Sequence, residues 1–156
     1  MNARQSATHT VANAQIFANF TRKQLDRIAE LSTPIEVKAG YPLAEEGKTG
    51  REFGVLIDGT ASVTIGGELV ATLYAGDHYG EMALLAEVSD SRGQRTATVT
   101  ADVDQWVAVM SIGEFRAVLA EFPEIAHQLR TSADERTASN NEHVLSQTVA
   151  GTLLEW

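Results

Sequence analysis

"GDHYGEMALLAEVSDSRGQRTATVTA", residues 76–101, joins two unlike pieces through a polar spacer. The first, "YGEMALL", starts at a residue without Cβ and continues with helix formers, which predicts a short helical turn. The unpaired N–H groups of such a turn, together with the positive end of its peptide dipoles, favour an anion. Met82, Leu84 and Leu85 suit a plain buried turn after a strand end, which is the commoner meaning of such a pattern taken alone. The second piece, "RTATVTA", alternates: Thr96, Thr98 and Thr100 share one face, Ala97 and Val99 the other, and Arg95 falls on the Ala97 side. A cation entering a strand on its apolar side needs a partner. That partner is either Glu81, in an ion pair, or an anionic ligand held between the guanidinium and the Gly80 turn. With a ligand, Glu81 would be repelled by the anion unless it accepted a hydrogen bond from a neighbouring hydroxyl, such as that of a ribose.

Outward from this stretch, residues from Pro34 to about 111 read as short β-type runs broken by Gly: "TPIEVKAG", "YPLAEEGK", "REFGVLIDG", "TASVTIGGELVATLYAGD" and "RTATVTADVDQWVAVMS". Gly66-Gly67 predicts a two-residue hairpin turn, since both glycines accept positive φ. Many short strands at regular spacing imply a sandwich or barrel. Helical patterns flank them. Before the strands, Ile16, Phe17 and Phe20, then Leu25, Ile28, Ala29 and Leu31, fall at helix-like spacing, and Thr21 with Gln24 makes a capping-box pattern. After them, Ser111 and Glu114 make a second one, Phe115, Val118, Leu119 and Phe122 form one face, and Pro123 is expected to open a further helix carrying Ile125 and Leu129. A last apolar patch holds Val144, Leu145, Val149, Leu153, Leu154 and Trp156. The organisation expected is a flexible tail over 1–12, a domain over 13–136, and a helical extension over 137–156.

The 156 residues allow one domain with a real core. A net charge of −9 opposes binding to a phosphate backbone, so no nucleic-acid partner is expected, although a single Arg and a few amides still act locally on a small anion. Cysteine is absent, which excludes disulfides and thiolate metal sites. No apolar run reaches a membrane span and the polar start lacks a signal-peptide core, so a cytoplasmic location and no membrane partner are expected.

From Phe17 to about Arg136 the chain resembles the cyclic nucleotide-binding domain of catabolite-activator-type regulators, of the regulatory subunits of cyclic AMP-dependent protein kinase and of cyclic-nucleotide-gated channels. "YGEMALL" and "RTATVTA" resemble the two halves of that family's phosphate-binding cassette, and "GYPLAEEGKTGREFGVLIDGTASV" resembles its Gly-turned strands. The resemblance implies a mainly β fold, a jelly-roll-like β-roll of about eight strands with N-terminal helices and C-terminal lid helices. It implies that Gly80 permits close backbone approach, that Glu81 accepts from a ribose 2′-hydroxyl, and that Met82, Ala83 and Leu84 offer backbone N–H groups to a cyclic phosphate. Arg95 would pair with that phosphate, Thr96 would touch phosphate or purine, and Leu129 and Arg130 would belong to the lid. The expected ligand is a purine 3′,5′-cyclic nucleotide, cAMP ahead of cGMP, with no other cofactor. The chain departs from the family in its spacer: the nine residues Ala86 to Gln94 form a longer link than is usual there, and Gln94 stands where Pro is common. Either that loop bulges outward and leaves Arg95 in register, or the cassette is deformed and the pocket is lost; Arg92, in the same loop, could substitute for Arg95 or compete with it.

Two other function classes follow from the same residues. One is a ligand-free interaction module on the same fold. The other is a cupin-like metal enzyme, which would need paired barrel histidines, whereas His78 stands alone in the β region and His9, His127 and His143 lie in the tail and helices. His78 is expected to be a surface turn residue, Trp106 a core residue and Trp156 a partner contact or frayed end. No catalytic constellation and no metal site is expected. No basic recognition helix is read after the lid, so the expected output is a homodimer or a partner protein at the C-terminal helices, or simple sequestration of the ligand.

Overall fold

The computed structural model describes Gln5 and residues 9–11, 13–48, 51–80, 84 and 97–130. Among them are eight strands, β1 (Thr33–Val37), β2 (Pro42–Ala44), β3 (Glu52–Leu56), β4 (Ala61–Ile65), β5 (Glu68–Leu73), β6 (His78–Tyr79), β7 (Thr98–Ala101) and β8 (Gln105–Ser111). A 3-10 turn (Gln15–Phe17) and helix α1 (Arg22–Leu31) precede them. Helix α2 (Ile112–Glu121) follows, and residues 125–130 are again helical. The strands form two four-stranded sheets with antiparallel pairing, in the orders β1-β8-β3-β6 and β2-β7-β4-β5. The mainly β roll with flanking helices is therefore the architecture found.

The two sheets differ in how many faces they bury. In the second sheet, Ala61 and Val63 of β4 and Val99 and Ala101 of β7 face inward, while Ser62, Thr64, Thr98 and Thr100 stay half-exposed. This is the period-2 alternation of a sheet with one wet side. The first sheet is covered on both sides. Leu56 and Val107 point into the space between the sheets, and Phe53, Val55, Ala108 and Met110 point to the helices. "WVAVM" is accordingly a near-continuous apolar run, whereas "TATVTA" alternates.

Two cores result. The roll interior between the sheets holds Val37, Leu43, Leu56, Val63, Leu73, Tyr79, Val99 and Val107. A helix-side cluster packs Ile16, Phe17, Phe20, Ile28, Phe53, Met110, Phe115, Val118, Ile125 and Leu129 on the far face of the first sheet. Phe17 is its hinge point, with ring centroids 5.0 Å from Phe20 and 5.3 Å from Phe53. The packed body starts inside the segment expected as a tail: residues 9–11 are helical and Val11 is buried in the helix-side cluster.

Local signals set the boundaries. Thr21 and Gln24 close a reciprocal capping box at the start of α1, and Ser111 and Glu114 close another at the start of α2. Gly66 and Gly67 turn the β4–β5 hairpin at φ 59° and 85°. The body is also tied at its loop end by aspartates that accept from backbone or hydroxyl donors. Asp58 accepts from the Trp106 N–H at 2.8 Å, Asp77 from the Tyr74 N–H at 2.8 Å, Asp102 from the Ser62 and Thr60 hydroxyls, and Asp104 from the Ala39 N–H.

Two side chains sit elsewhere than expected. His78 is a buried strand residue, with its ring centroid 5.5 Å from that of Phe53, and not a surface turn. Trp106 is half-buried and lies outside both cores, although it shares the strand parity of Ala108 and Met110.

Candidate nucleotide site

Gly80 is where the chain leaves the first sheet. β6 runs along β3 with Tyr79 opposite Gly54 and His78 opposite Val55. The approach is fastened further by Leu56 N–H donating to Asp77 O at 2.9 Å and Gly76 N–H donating to Leu56 O at 2.8 Å. One residue later Gly80 takes φ 80°, a left-handed value at which a side chain is strained, and it is buried. The positions of the two residues before it are set by a steric fit. A Cβ on Gly54 would overlap the ring of Tyr79, so the glycine lets the fully buried Tyr79 lie across β3 inside the roll. Sequence patterns missed this pair, because a two-residue strand carries no periodicity and its partner is a glycine far away in the chain.

The chain re-enters the second sheet at Ala97. Ala97, Val99 and Ala101 face the roll interior and Thr98 and Thr100 face out, the alternation expected of "RTATVTA". β7 lies between β2 and β4. The Thr98 hydroxyl accepts from Glu46 N–H at 3.0 Å, and the Glu46 carboxylate accepts from Gly66 N–H at 3.0 Å, which pins the β2–β3 loop beside the start of β7. An open groove of about 200 Å³ adjoins that loop, lined by residues of both charges: Glu45, Lys48, Arg51 and Glu52 around Leu43. Lys48 is paired with Glu45 at 2.8 Å.

Between these two anchors one residue is placed. Leu84 is helical and fully buried in the helix-side cluster, together with Leu129. The connection therefore starts at an edge of one sheet, touches the helical core and returns to an inner strand of the other sheet. Glu81, Met82, Ala83, Arg95 and Thr96 lie outside the described residues, as do Arg92 and the Ala86–Gln94 spacer. Of the lid pair, Leu129 belongs to the helix-side cluster and Arg130 is exposed.

The helix bearing Leu129 is held by contacts that the sequence did not announce. Gln24, buried on α1, exchanges hydrogen bonds with Gln128: Gln24 Nε2 donates to Gln128 Oε1 at 2.9 Å and Gln128 Nε2 donates to Gln24 Oε1 at 3.0 Å. Arg27 donates to Glu121 at 2.8 Å, and Lys23 stands 5.9 Å from the centre of the Phe122 ring. Glu30 and Glu121 both raise the Arg27 pKa through hydrogen bonds. The capping-box pattern already marked Gln24; only its burial reveals its second set of partners.

Among the described residues no group of three or more His, Cys, Asp or Glu is arranged to hold a metal ion. No helix among them is long and apolar enough to cross a membrane.

The model of the family described as "Cyclic nucleotide-binding domain" matches residues 34–122, more than half of the chain. The chain is 27% identical over 145 residues to the Pycsar effector protein XpPycTIR of Xanthomonas perforans, covering 92% of this chain and 46% of that protein. It is 34% identical over 106 residues to the cAMP-dependent protein kinase regulatory subunit of Yarrowia lipolytica, covering 67% of this chain and 27% of that one. It thus spans less than half the length of either relative. The crystal structure of the N-terminal domain of a transcriptional regulator from Streptomyces coelicolor A3(2) shares the fold, with a TM-score of 0.70 at 22% identity over 85% of this chain and 95% of that one.

Proposed function

This chain belongs to the cyclic nucleotide-binding domain family, and on that premise we propose that it binds a purine 3′,5′-cyclic monophosphate, cAMP ahead of cGMP, as a regulatory rather than catalytic module. The observation that carries the reading is the buried left-handed Gly80 at the end of β6, together with a later strand, β7, whose inward residues are small and apolar. A glycine there leaves room for a ligand to approach the backbone. Glu81 would accept from the ribose 2′-hydroxyl, and the backbone N–H groups of Met82, Ala83 and Leu84 would hold the phosphate. The alternation of β7, continued toward its start, would carry Arg95 to the apolar side of the strand, where it pairs with the phosphate while Thr96 touches phosphate or purine. The name of the yeast relative, a cAMP-dependent regulatory subunit, is the ground for placing cAMP first, and a relative from Toxoplasma gondii that is a cGMP-dependent protein kinase makes cGMP the competitor to test.

Calorimetry with the four common 3′,5′-cyclic nucleotides tests the class and the base together. Heat with cAMP above the others is the expected result. Binding of a pyrimidine nucleotide alone would overturn the base assignment, and no heat with any of them at millimolar concentration would leave a ligand-free interaction module in its place. Arg95→Ala should cost about thirtyfold in affinity, the loss of one charge-assisted hydrogen-bonded pair, while Arg92→Ala should cost little. An equal or larger loss at Arg92 would move the phosphate contact into the spacer. Output through a homodimer or a partner at the C-terminal helices predicts a nucleotide-dependent association state in light scattering.

A further inference from the structure

We infer that Glu46 is a positioning residue for the proposed nucleotide site: it straps the start of β7 from the outer face of the second sheet, and so holds the strand end to which Arg95 and Thr96 are joined. The inference rests on the cyclic nucleotide reading for its ligand and on the contacts of Glu46 for its device. β7 is an inner strand held unequally on its two sides. Toward β4 it makes four regular pairs, from Ala61 with Ala101 to Thr64 with Thr98. Toward β2 it makes two, Pro42 with Thr100 and Ala44 with Val99, with a register shift between them. Thr98, the first residue of β7, therefore has a strand partner on one side only.

The β2–β3 loop supplies the second flank. Glu46 N–H donates to Thr98 Oγ1 at 3.0 Å where the ladder with β2 has ended, and the Glu46 carboxylate reaches on to accept from Gly66 N–H at 3.0 Å. One residue thus ties the start of β7 to the β4–β5 turn. The loop around it is itself braced. Gly47 follows at φ 82°, Lys48 N–H donates to Glu45 O at 3.2 Å, and the Lys48 ammonium pairs with Glu45 at 2.8 Å. Thr98 is on the wet face of the sheet, so the strap grips the strand from outside and leaves the inward face of Ala97, Val99 and Ala101 clear.

Chain connectivity links the strap to the ligand. Arg95 stands three residues before Thr98, at the end of a long spacer. A strand end held on one side frays readily. A ligand that uses the residues leading into such an end must order it on binding, at a cost in affinity. The strap builds that order into the free protein. A phosphate contact can then sit at the head of β7 behind a spacer of unusual length, because its place is set from the strand and not from the spacer.

Thr98→Val keeps the β-branched shape and removes the acceptor. The expected result is faster hydrogen exchange at the Glu46 amide and a cAMP dissociation constant raised about threefold, the weak end of the range for one hydrogen bond, since both bonds of the strap are solvent-exposed. Thr98→Ser, which keeps the hydroxyl, should match wild type in both. Thr100→Val, on the same face but further from the loop, should change neither. In an Arg95→Ala background the loss from Thr98→Val should vanish, which a general loss of stability would not produce. Unchanged affinity in Thr98→Val, an equal loss in Thr100→Val, or a loss that persists beside Arg95→Ala overturns the inference. Should Thr98→Val fail to fold, Glu46→Ala, which releases the Gly66 N–H, is held to the same criteria. Wild-type protein that binds no cyclic nucleotide defeats the functional reading and the inference together, whereas wild-type binding with no loss in Thr98→Val defeats the inference alone.

Discussion

The two hydrophobic cores are built on opposite plans. The roll interior is assembled largely from strand alternation, with Ala, Val and Leu side chains contributed by neighbouring strands and one aromatic ring, Tyr79, admitted by Gly54. The helix-side cluster is assembled from the two ends of the described chain, with Phe17, Phe20 and Ile28 meeting Phe115, Ile125 and Leu129 across the outer face of the first sheet. The first depends on local periodicity and the second on contacts about a hundred residues apart. A scaffold with both can keep its roll rigid and confine adjustment to the helices, since cooperative units of different stability can open separately.

The sharpest test of that division is Phe17→Ala. Loss of a fully buried ring from the helix-side cluster should cost about 3–5 kcal/mol. Exchange should accelerate in α1 and at 125–130, and β4 and β7 should keep their protection. Uniform acceleration through all strands would show that the cores melt as one. Next in size is Gly54→Ala, which forces a Cβ against the Tyr79 ring and should cost about 1–3 kcal/mol in urea denaturation. Its signature should appear in the roll, as weakened protection at Tyr79 and Gly80, and it should reduce nucleotide affinity because it displaces the Gly80 turn. Smallest is Asp104→Asn, at the loop end remote from both helices. The Ala39 N–H, and then Lys38, hold the Asp104 carboxyl below its usual pKa. A depressed folded pKa stabilises the fold above the unfolded value and is lost as pH falls through the folded one. The variant should therefore melt slightly below wild type at neutral pH, and the difference should vanish in acid. The side chain is exposed, so the effect is small.

What the sequence made legible was whatever a short window determines. "TATVTA" announced a strand with one wet face, Gly66-Gly67 a hairpin, and Thr21/Gln24 and Ser111/Glu114 two helix starts, because each is decided by residues within a few positions of one another. Gly80 was legible as a special backbone position for the same reason. His78 was misread because two strand residues show no alternation, and its burial comes from Phe53, on β3 in another part of the chain. Trp106 was misread because its strand is covered by helices over only part of its length, which no pattern within "QWVAVMS" encodes. The Gln24–Gln128 contact was out of reach altogether. A glutamine on a helix reads as solvent-facing until the packing of a second helix is known.

The sheet edges have a bearing on how this protein behaves when concentrated. Of the four edge strands, β1 contains Pro34, β2 contains Pro42 and a register shift, β6 has only two residues, and β5 carries a shift in its pairing with β4 that leaves Val70 as an extra residue. Each interruption removes a donor, bends the backbone or shortens the template that another strand needs for pairing. Leu69 and Val70 stand exposed on β5, an apolar edge that on a flat strand would seed edge-to-edge aggregation. The bulge takes the regular ladder away from that edge, so the roll can display apolar side chains there without recruiting copies of itself into a growing sheet.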